Sequence, residues 1–455
     1  MVALNLTNLP AVENMQSIEN KKILELMNIN RYSVGMYYDY YNGKQPLTYT
    51  TDRYKNAFAK MVQSFKENMC PTVVDSVADR LIVTGFEVEG SDAENTGQLI
   101  WDIWKNNRLE IRSGDIHQEA VKCGNAYLIV WPNSNGYPTF HPQSSDSFIV
   151  HYDEDEDFID WAAKIWITDQ KLARLTVYYA DRVERFISSG AVRGFPTKNV
   201  IWKPLAEGAS VPNPYGKVPV FHFANNAMMS NYGKSDLHDV LTIQDALNKS
   251  VADLLVSMEF AAFNQRWATG LEMQIGPDGK PKPTFEPGPD RLWATESEDA
   301  EFGEFTAADL TKFIAVHDMF LVSIARITGV PIHHMLINSG NFPSGESLKT
   351  AESRFTAKIT DRQKTFGATW EDALTFAAEI ARLSITGKVH IQWASSAPRS
   401  ERETAEVMQL KKALGFPFPS IAREMGYSQQ QIDQIQAEQK AETAAVTTPV
   451  SEGDE

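Results

Sequence analysis

The spacing of apolar residues shifts along this chain, and each shift marks a structural boundary. From Ser17 to Asp39 the apolar positions recur at helical intervals and end in the aromatic cluster Tyr37, Tyr38, Tyr40 and Tyr41, before Asn42-Gly43 turns the chain. Phe58–Asn68 and the segment after Pro71, with Val73, Val74, Val77 and Leu81, predict two more helices, and residues 95–106 and 111–123 another two. At Gly124 the period shortens from about 3.6 to 2. Ala126-Tyr127-Leu128-Ile129-Val130-Trp131 reads as a strand, followed by 139–141, 147–152, 161–168, 175–180, 183–187 and 218–223. Short turns such as Asn133-Ser134-Asn135-Gly136 join them, so the stretch is predicted to be antiparallel.

Helical spacing returns at Asp236 and runs to Phe263, with Val240, Ile243, Leu247, Val251, Leu254 and Met258 in a narrow seam. A Gly/Pro-rich insertion follows, from Gly276-Pro277 through Pro287-Gly288-Pro289, where no helix interior or central strand is possible. Thr306–Thr328 resumes a helix, with Leu310, Phe313, His317, Phe320 and Ile324 on one face. After a loop over 329–343, Ser344 is placed to cap a long helix with Glu346 in its first turn, and Gly387 to end it. That helix spans about 40 residues, roughly 60 Å. A strand over Lys388–Trp393, helices over 401–414 and 428–441 and a disordered tail over 442–455 complete the prediction. Helix, insertion and returning helix form a projecting hairpin whose seams call for copies of the same chain as partners.

Composition narrows the function. At 455 residues the chain exceeds one core and predicts two to four packed units. With 43 basic and 59 acidic side chains it carries −16, which argues against a static grip on phosphates. Cys70 and Cys123 are too few for a disulfide scaffold or multi-cysteine metal site and suit a reducing compartment. The most apolar stretch, Val251–Phe263, is broken by Asp253 and Glu259, so no membrane span is predicted.

Motifs for catalysis are near misses. Gly233-Lys234-Ser235 sits between a strand and a helix, as a phosphate loop would, but the glycine needed five residues earlier is Met228. A strand-to-helix turn with Ser235 as helix N-cap is the competing reading. Counting from Asp153, the acidic run places Phe158 and Lys164 where a calcium loop needs Gly and Glu. His333 and His334 lack a metal-ligand spacing, and adjacent loop residues are expected to point apart. No catalytic residue, metal or cofactor is assigned.

Five strings occur in order along the chain: Tyr40-Tyr41-Asn42-Gly43, Asn68-Met69-Cys70-Pro71-Thr72-Val73-Val74-Asp75, Tyr178-Tyr179-Ala180-Asp181-Arg182-Val183-Glu184-Arg185-Phe186, Gln244-Asp245-Ala246-Leu247-Asn248-Lys249, and Phe342-Pro343-Ser344-Gly345-Glu346-Ser347-Leu348-Lys349. Together they resemble the portal family of long-tailed bacteriophages. The resemblance implies an α+β portal fold. Residues 1–235 with the return strand 388–393 would be the wing, 236–263 and 306–328 the stem, and 264–305 the clip. Residues 329–343 would be the tunnel loop, 344–386 the spine helix and 399–441 the crown. It further implies a ring of about twelve copies at one capsid vertex of the virion, assembled in the host cytoplasm. Double-stranded DNA would pass through, and terminase, a head-completion adaptor, scaffolding and major capsid proteins would be partners.

Carried onto this sequence, the tunnel loop offers His333, His334, Asn338, Ser339 and Asn341 for weak, sequence-independent DNA contact, with an ordinary polar loop between helices as the alternative. Lys249 and Lys312 are candidates to face the channel from the stem, or to pair with Asp245, Asp253 or Asp309 of neighbouring subunits. Glu286, Asp290, Glu296, Glu298, Asp299 and Glu301, against Arg291 alone, make an acidic clip that would dock a basic partner or simply be solvated. Two rival functions remain at this point, another ring-forming head–tail connector and an ATP-binding enzyme built on Gly233-Lys234-Ser235.

Overall fold

The computed structural model describes residues 11–46, 66–89, 93–153, 155, 158–196, 200–262, 266–270, 274–277, 279, 281–282, 299–305, 309–335, 345–383, 385, 387–397, 401–425, 427 and 429–446. The chain divides into two units, one of residues 1–44, 70–239 and 328–455, the other of 45–69 and 240–327.

The first unit opens with helices α1 (Ala11–Tyr41) and α2 (Cys70–Ala78), strand β1 (Val83–Val88), and helices α3 (Ala93–Asn106) and α4 (Leu109–Cys123). Strands β2 (Asn125–Pro132), β3 (Pro138–Gln143), β4 (Phe148–Tyr152), β5 (Ile159–Ile167), β6 (Leu172–Tyr178) and β7 (Arg182–Ala191) follow, then β8 (Trp202–Pro204), β9 (Ser210–Pro212) and β10 (Val220–Ala224). All pair antiparallel. β10-β2-β3 form one sheet, and β4-β5-β6-β7-β8, with β9 also on β7, form another. The expected strand region is therefore present, with β1, β8 and β9 added.

Local chemistry explains the layers. Ile23, Leu24 and Met27, one turn apart on α1, pack on Ile149, Ile165, Leu175, Val177 and Phe186 of the larger sheet. Tyr127 and Ile129 of β2 pack on Phe148, Val150 and Ala162, which joins the two sheets. Helices cover the other side of β2. Both faces are buried, and the strand accordingly reads as a continuous apolar run.

The second unit holds helix α5 (Leu241–Ala262), strands β11 (Arg266–Thr269), β12 (Gln274–Ile275), β13 (Pro281–Lys282) and β14 (Glu301–Glu304), and helix α6 (Thr311–Thr328), whose last residue enters the first unit. The sequence pattern misses these strands. β11 pairs with β14, and Gly303 leaves room for the Trp267 indole, which a Cβ there would meet at 2.4 Å. The seam expected on α5 is only partly its buried face: Leu247 is buried and Met258 is half exposed, while Gln244, Asp245, Asn248 and Ser250 are buried. Gln244 explains part of this, since its carbonyl accepts from Met69 N–H at 2.9 Å and its amide donates to Glu67 O at 2.6 Å. Its side chain thus completes the backbone hydrogen bonding of an irregular segment. Of the helix expected over Phe58–Asn68, residues up to 65 lie outside the described part and 66–68 are not helical.

Back in the first unit, the chain makes a short 3₁₀ turn (Ile332–His334) and enters helix α7 (Gly345–Ile380), 36 residues or roughly 54 Å long. Its predicted cap, Ser344, lies outside the described residues. α7 ends seven residues before Gly387. Arg382 adopts φ 58, and Leu383 N–H bonds Ala378 O at 2.9 Å while Arg382 N–H bonds Glu379 O at 3.1 Å. This Schellman closure terminates the helix without glycine. Strand β15 (Val389–Trp393) then pairs with β1, and helices α8 (Glu401–Ala413), α9 (Phe418–Glu424) and α10 (Gln429–Val446) follow. α10 keeps residues 442–446 helical, which corrects the tail expected there; 447–455 lie outside the described residues.

α7 and α4 meet in an aromatic centre. Trp370 lies edge-on to Trp104 at 4.8 Å and to Phe223 at 5.0 Å, and its indole N–H donates to His117 Nε2 at 2.9 Å. His117 Nδ1–H donates to Leu81 O at 3.1 Å, which fixes the neutral tautomer. Burial pushes the His117 pKa down to about 3. His222 is similarly enclosed between Asn125 Oδ1 at 2.8 Å and Tyr152 Oη at 2.9 Å, and burial again lowers its pKa to about 3.

Candidate functional site

The Gly233-Lys234-Ser235 string lies in a turn whose polar groups are already committed. Gly233 N–H donates to Asn125 Oδ1 at 2.8 Å and Lys234 N–H to Asn225 O at 2.6 Å. The Ser235 hydroxyl donates to Lys122 O at 2.6 Å and accepts from Leu237 N–H at 3.0 Å. A phosphate cradle needs successive free amides turned toward one anion. Here protein acceptors take the Gly233 and Lys234 amides, and Lys234 Nζ reaches Asp239 at 2.7 Å. Glycine is needed at 233 for a different reason: a Cβ would stand 1.9 Å from Gly124 O. The string is a backbone crossing point rather than a nucleotide loop. Nor does Ser235 cap α5, which starts six residues later at Leu241. Between them, buried Asp236 accepts from Asn225 Nδ2 at 3.0 Å and pairs with Lys358 Nζ at 2.6 Å, tying the turn to α7.

His333 and His334 do not point apart. Their rings meet edge-on at 4.6 Å, and both reach Glu352 in the second turn of α7. His333 Nε2 lies 3.1 Å and His334 Nε2 3.7 Å from Glu352 Oε1. The other carboxylate oxygen, Oε2, accepts from Arg80 at 3.0 Å, and His334 Nδ1 lies 3.3 Å from Ser76 Oγ. Glu352 is buried, and a buried carboxylate draws in whatever donors the fold can supply. Burial raises its pKa, but Arg80 and His333 outweigh that and hold the carboxyl below its usual range. Burial, with His333 and Arg80 beside it, lowers the His334 pKa. Sequence reasoning missed Glu352, Arg80 and Ser76, since separations of 272 and 258 residues leave no motif.

Lys249 pairs with Asp253 one turn along its own helix, which supplies the partner sought in a neighbouring subunit. Lys312 is exposed in the first turn of α6. In the same unit His317 Nε2 meets Glu67 at 2.6 Å and Nδ1 meets Asp318 at 3.2 Å. Burial opposes its charge, but those two carboxylates win and raise its pKa. Asp299 and Glu301 are exposed beside the β11–β14 pair, where Arg266 donates to Glu304 at 3.1 Å. Glu286, Asp290, Arg291, Glu296, Glu298, Asn338, Ser339 and Asn341 lie outside the described residues.

The family model described as "Phage portal protein, SPP1 Gp6-like" matches residues 22–445, from within α1 to the last turn of α10. The chain belongs to the phage portal protein family. Its portal relatives include the portal proteins of Mycobacterium phage L5, 25% identical over 317 residues, and Mycobacterium phage D29, 26% identical over 328. Each alignment covers 68% of this chain and 64% of the relative, so the chain spans less than two thirds of those portal proteins' length. Similar solved structures include a chain of the virion of a native gene transfer agent particle (TM-score 0.46, 15% identity) and one of the neck of an empty gene transfer agent particle (TM-score 0.49, 14% identity). Each likeness covers 82% of this chain and 91% of the other. Among the described residues no helix is long and apolar enough to cross a membrane.

Proposed function

We propose that this chain is the portal subunit of a tailed-phage head: about twelve copies close a ring at one capsid vertex, through which double-stranded DNA is packaged and ejected. The observation that carries this reading is the portal-family match over 22–445. The order of elements supports it: α5, an insertion with short strands, α6, a turn, then the 36-residue α7. In the proposed ring, residues 1–235 with 388–393 form the wing, 236–263 and 306–328 the stem, 264–305 the clip, 329–343 the tunnel loop, 344–386 the spine and 399–441 the crown. Ile314, Met319 and Ile327 of α6 and Met258 of α5 are each about half exposed in the single chain, and neighbouring subunits would cover them.

The charge fits a conduit. Twelve copies at −16 carry about −192, which repels a polyanion and lets it slide where tight phosphate binding would hold it. His333 and His334 are engaged by Glu352, so DNA contact falls in this reading to Asn338, Ser339 and Asn341. The acidic stretch around Asp299 and Glu301 would dock the terminase and later the head-completion protein. The test is packaging by capsid shells assembled with and without this chain, given terminase, ATP and DNA. Nuclease-protected DNA should appear only in shells that contain it. Equal protection in shells lacking it overturns the proposal.

A further inference from the structure

His333, His334 and Glu352 have a geometry that their hydrogen bonding alone does not require. One nitrogen of each imidazole and one carboxylate oxygen lie within 4.8 Å of one another. Zinc bonds of about 2.0–2.1 Å to nitrogen and oxygen set tetrahedral ligand separations near ~3.3 Å. The distances from Glu352 Oε1 to the two imidazole nitrogens, 3.1 and 3.7 Å, bracket that value.

The surrounding groups are arranged as supports. Arg80 takes Oε2 of Glu352 and leaves Oε1 turned to the histidines. Ser76 faces His334 Nδ1, so the Nδ1–H can donate to its hydroxyl while Nε2 presents a lone pair toward Glu352. Phe355 closes one side, with its ring 5.7 Å from that of His334 and the Arg80 guanidinium 4.8 Å from its centroid. Two imidazoles and one carboxylate suit zinc and similar first-row ions far better than magnesium or calcium.

We infer that His333, His334 and Glu352 form a binding site for one divalent transition-metal ion of the zinc type, with its fourth position open to water. Bound there, the ion would cross-link the 3₁₀ turn at 332–334 to α7, and through Ser76 and Arg80 to the end of α2. Three protein ligands, one of them a carboxylate shared with the Arg80 guanidinium, make a site of moderate affinity.

The experiment uses the full chain without a histidine tag, stripped with chelator and titrated with Zn²⁺ and with Co²⁺, whose visible absorption reports nitrogen and oxygen coordination. One ion should bind per chain and raise the melting temperature. His333→Gln and His334→Gln should each abolish the Co²⁺ spectrum, and Ser76→Ala should weaken binding about tenfold. Ser76→Ala, which leaves all three ligands in place, decides the matter if the histidine variants fold poorly. No Co²⁺ spectrum, binding unchanged in both histidine variants, or binding unchanged in Ser76→Ala overturns the inference.

Discussion

Acidification from pH 7 to pH 5 should destabilise the first unit through two named imidazoles. His117 and His222 are buried neutral, and burial lowers each pKa from 6.5 to about 3. The unfolded chain therefore binds more protons than the folded one between pH 6.5 and pH 3, and stability falls as pH falls through that window. At pH 5 an unfolded imidazole is almost fully charged and its buried counterpart is not. The difference costs about 2 kcal/mol per histidine, or about 4 kcal/mol for the pair. Exchange of the imidazole C2 hydrogen, followed by mass spectrometry, reads each titration separately. Neither residue should titrate above pH 5. Urea unfolding of the wild type and of His117→Gln/His222→Gln at both pH values supplies the energy, because carboxylate contributions are common to both chains and cancel. Titration of either histidine near pH 6.5, or the same pH dependence in both chains, would refute the reasoning.

Four further substitutions test other parts of the fold by chemical or thermal denaturation. Trp370→Ala removes a fully buried indole and its bond to His117 and should cost about 3–5 kcal/mol in urea unfolding. Gly233→Ala drives a Cβ into Gly124 O and should cost more than about 3 kcal/mol, whereas Lys234→Ala loses only an exposed pair and should cost less than about 1 kcal/mol. A reversal of that order, or loss of nucleotide binding in Lys234→Ala, would restore the phosphate-loop reading. Arg382→Gly relieves a left-handed backbone at the end of α7 and should raise the melting temperature by the equivalent of about 1 kcal/mol.

What the sequence disclosed follows from the range of the forces involved. Strands β2 to β7 and β10 were legible because alternation and turn residues are local, whereas the three-residue β8 and β9 are too short to show a period. β1 was not: Gly85 blurs its alternation, and its partner β15 lies some 300 residues away. The end of α7 was misplaced because Gly387 is the obvious stop, while the actual stop is a hydrogen-bond closure around an arginine. The apolar seam of α5 concealed that Gln244 is buried to bind the backbone at 67–69. The convergence of His333, His334 and Glu352 was invisible for the same reason as β1, since Glu352 has no motif and Arg80 and Ser76 come from a distant helix end.

The central claim is a ring of portal subunits around an open channel, and electron microscopy of the purified full chain tests it most directly. Class averages viewed along the symmetry axis should show closed rings of about twelve copies with a centre wide enough for duplex DNA. Closed assemblies with a filled centre, or compact monomers that form no ring even alongside scaffolding and capsid proteins, would contradict it.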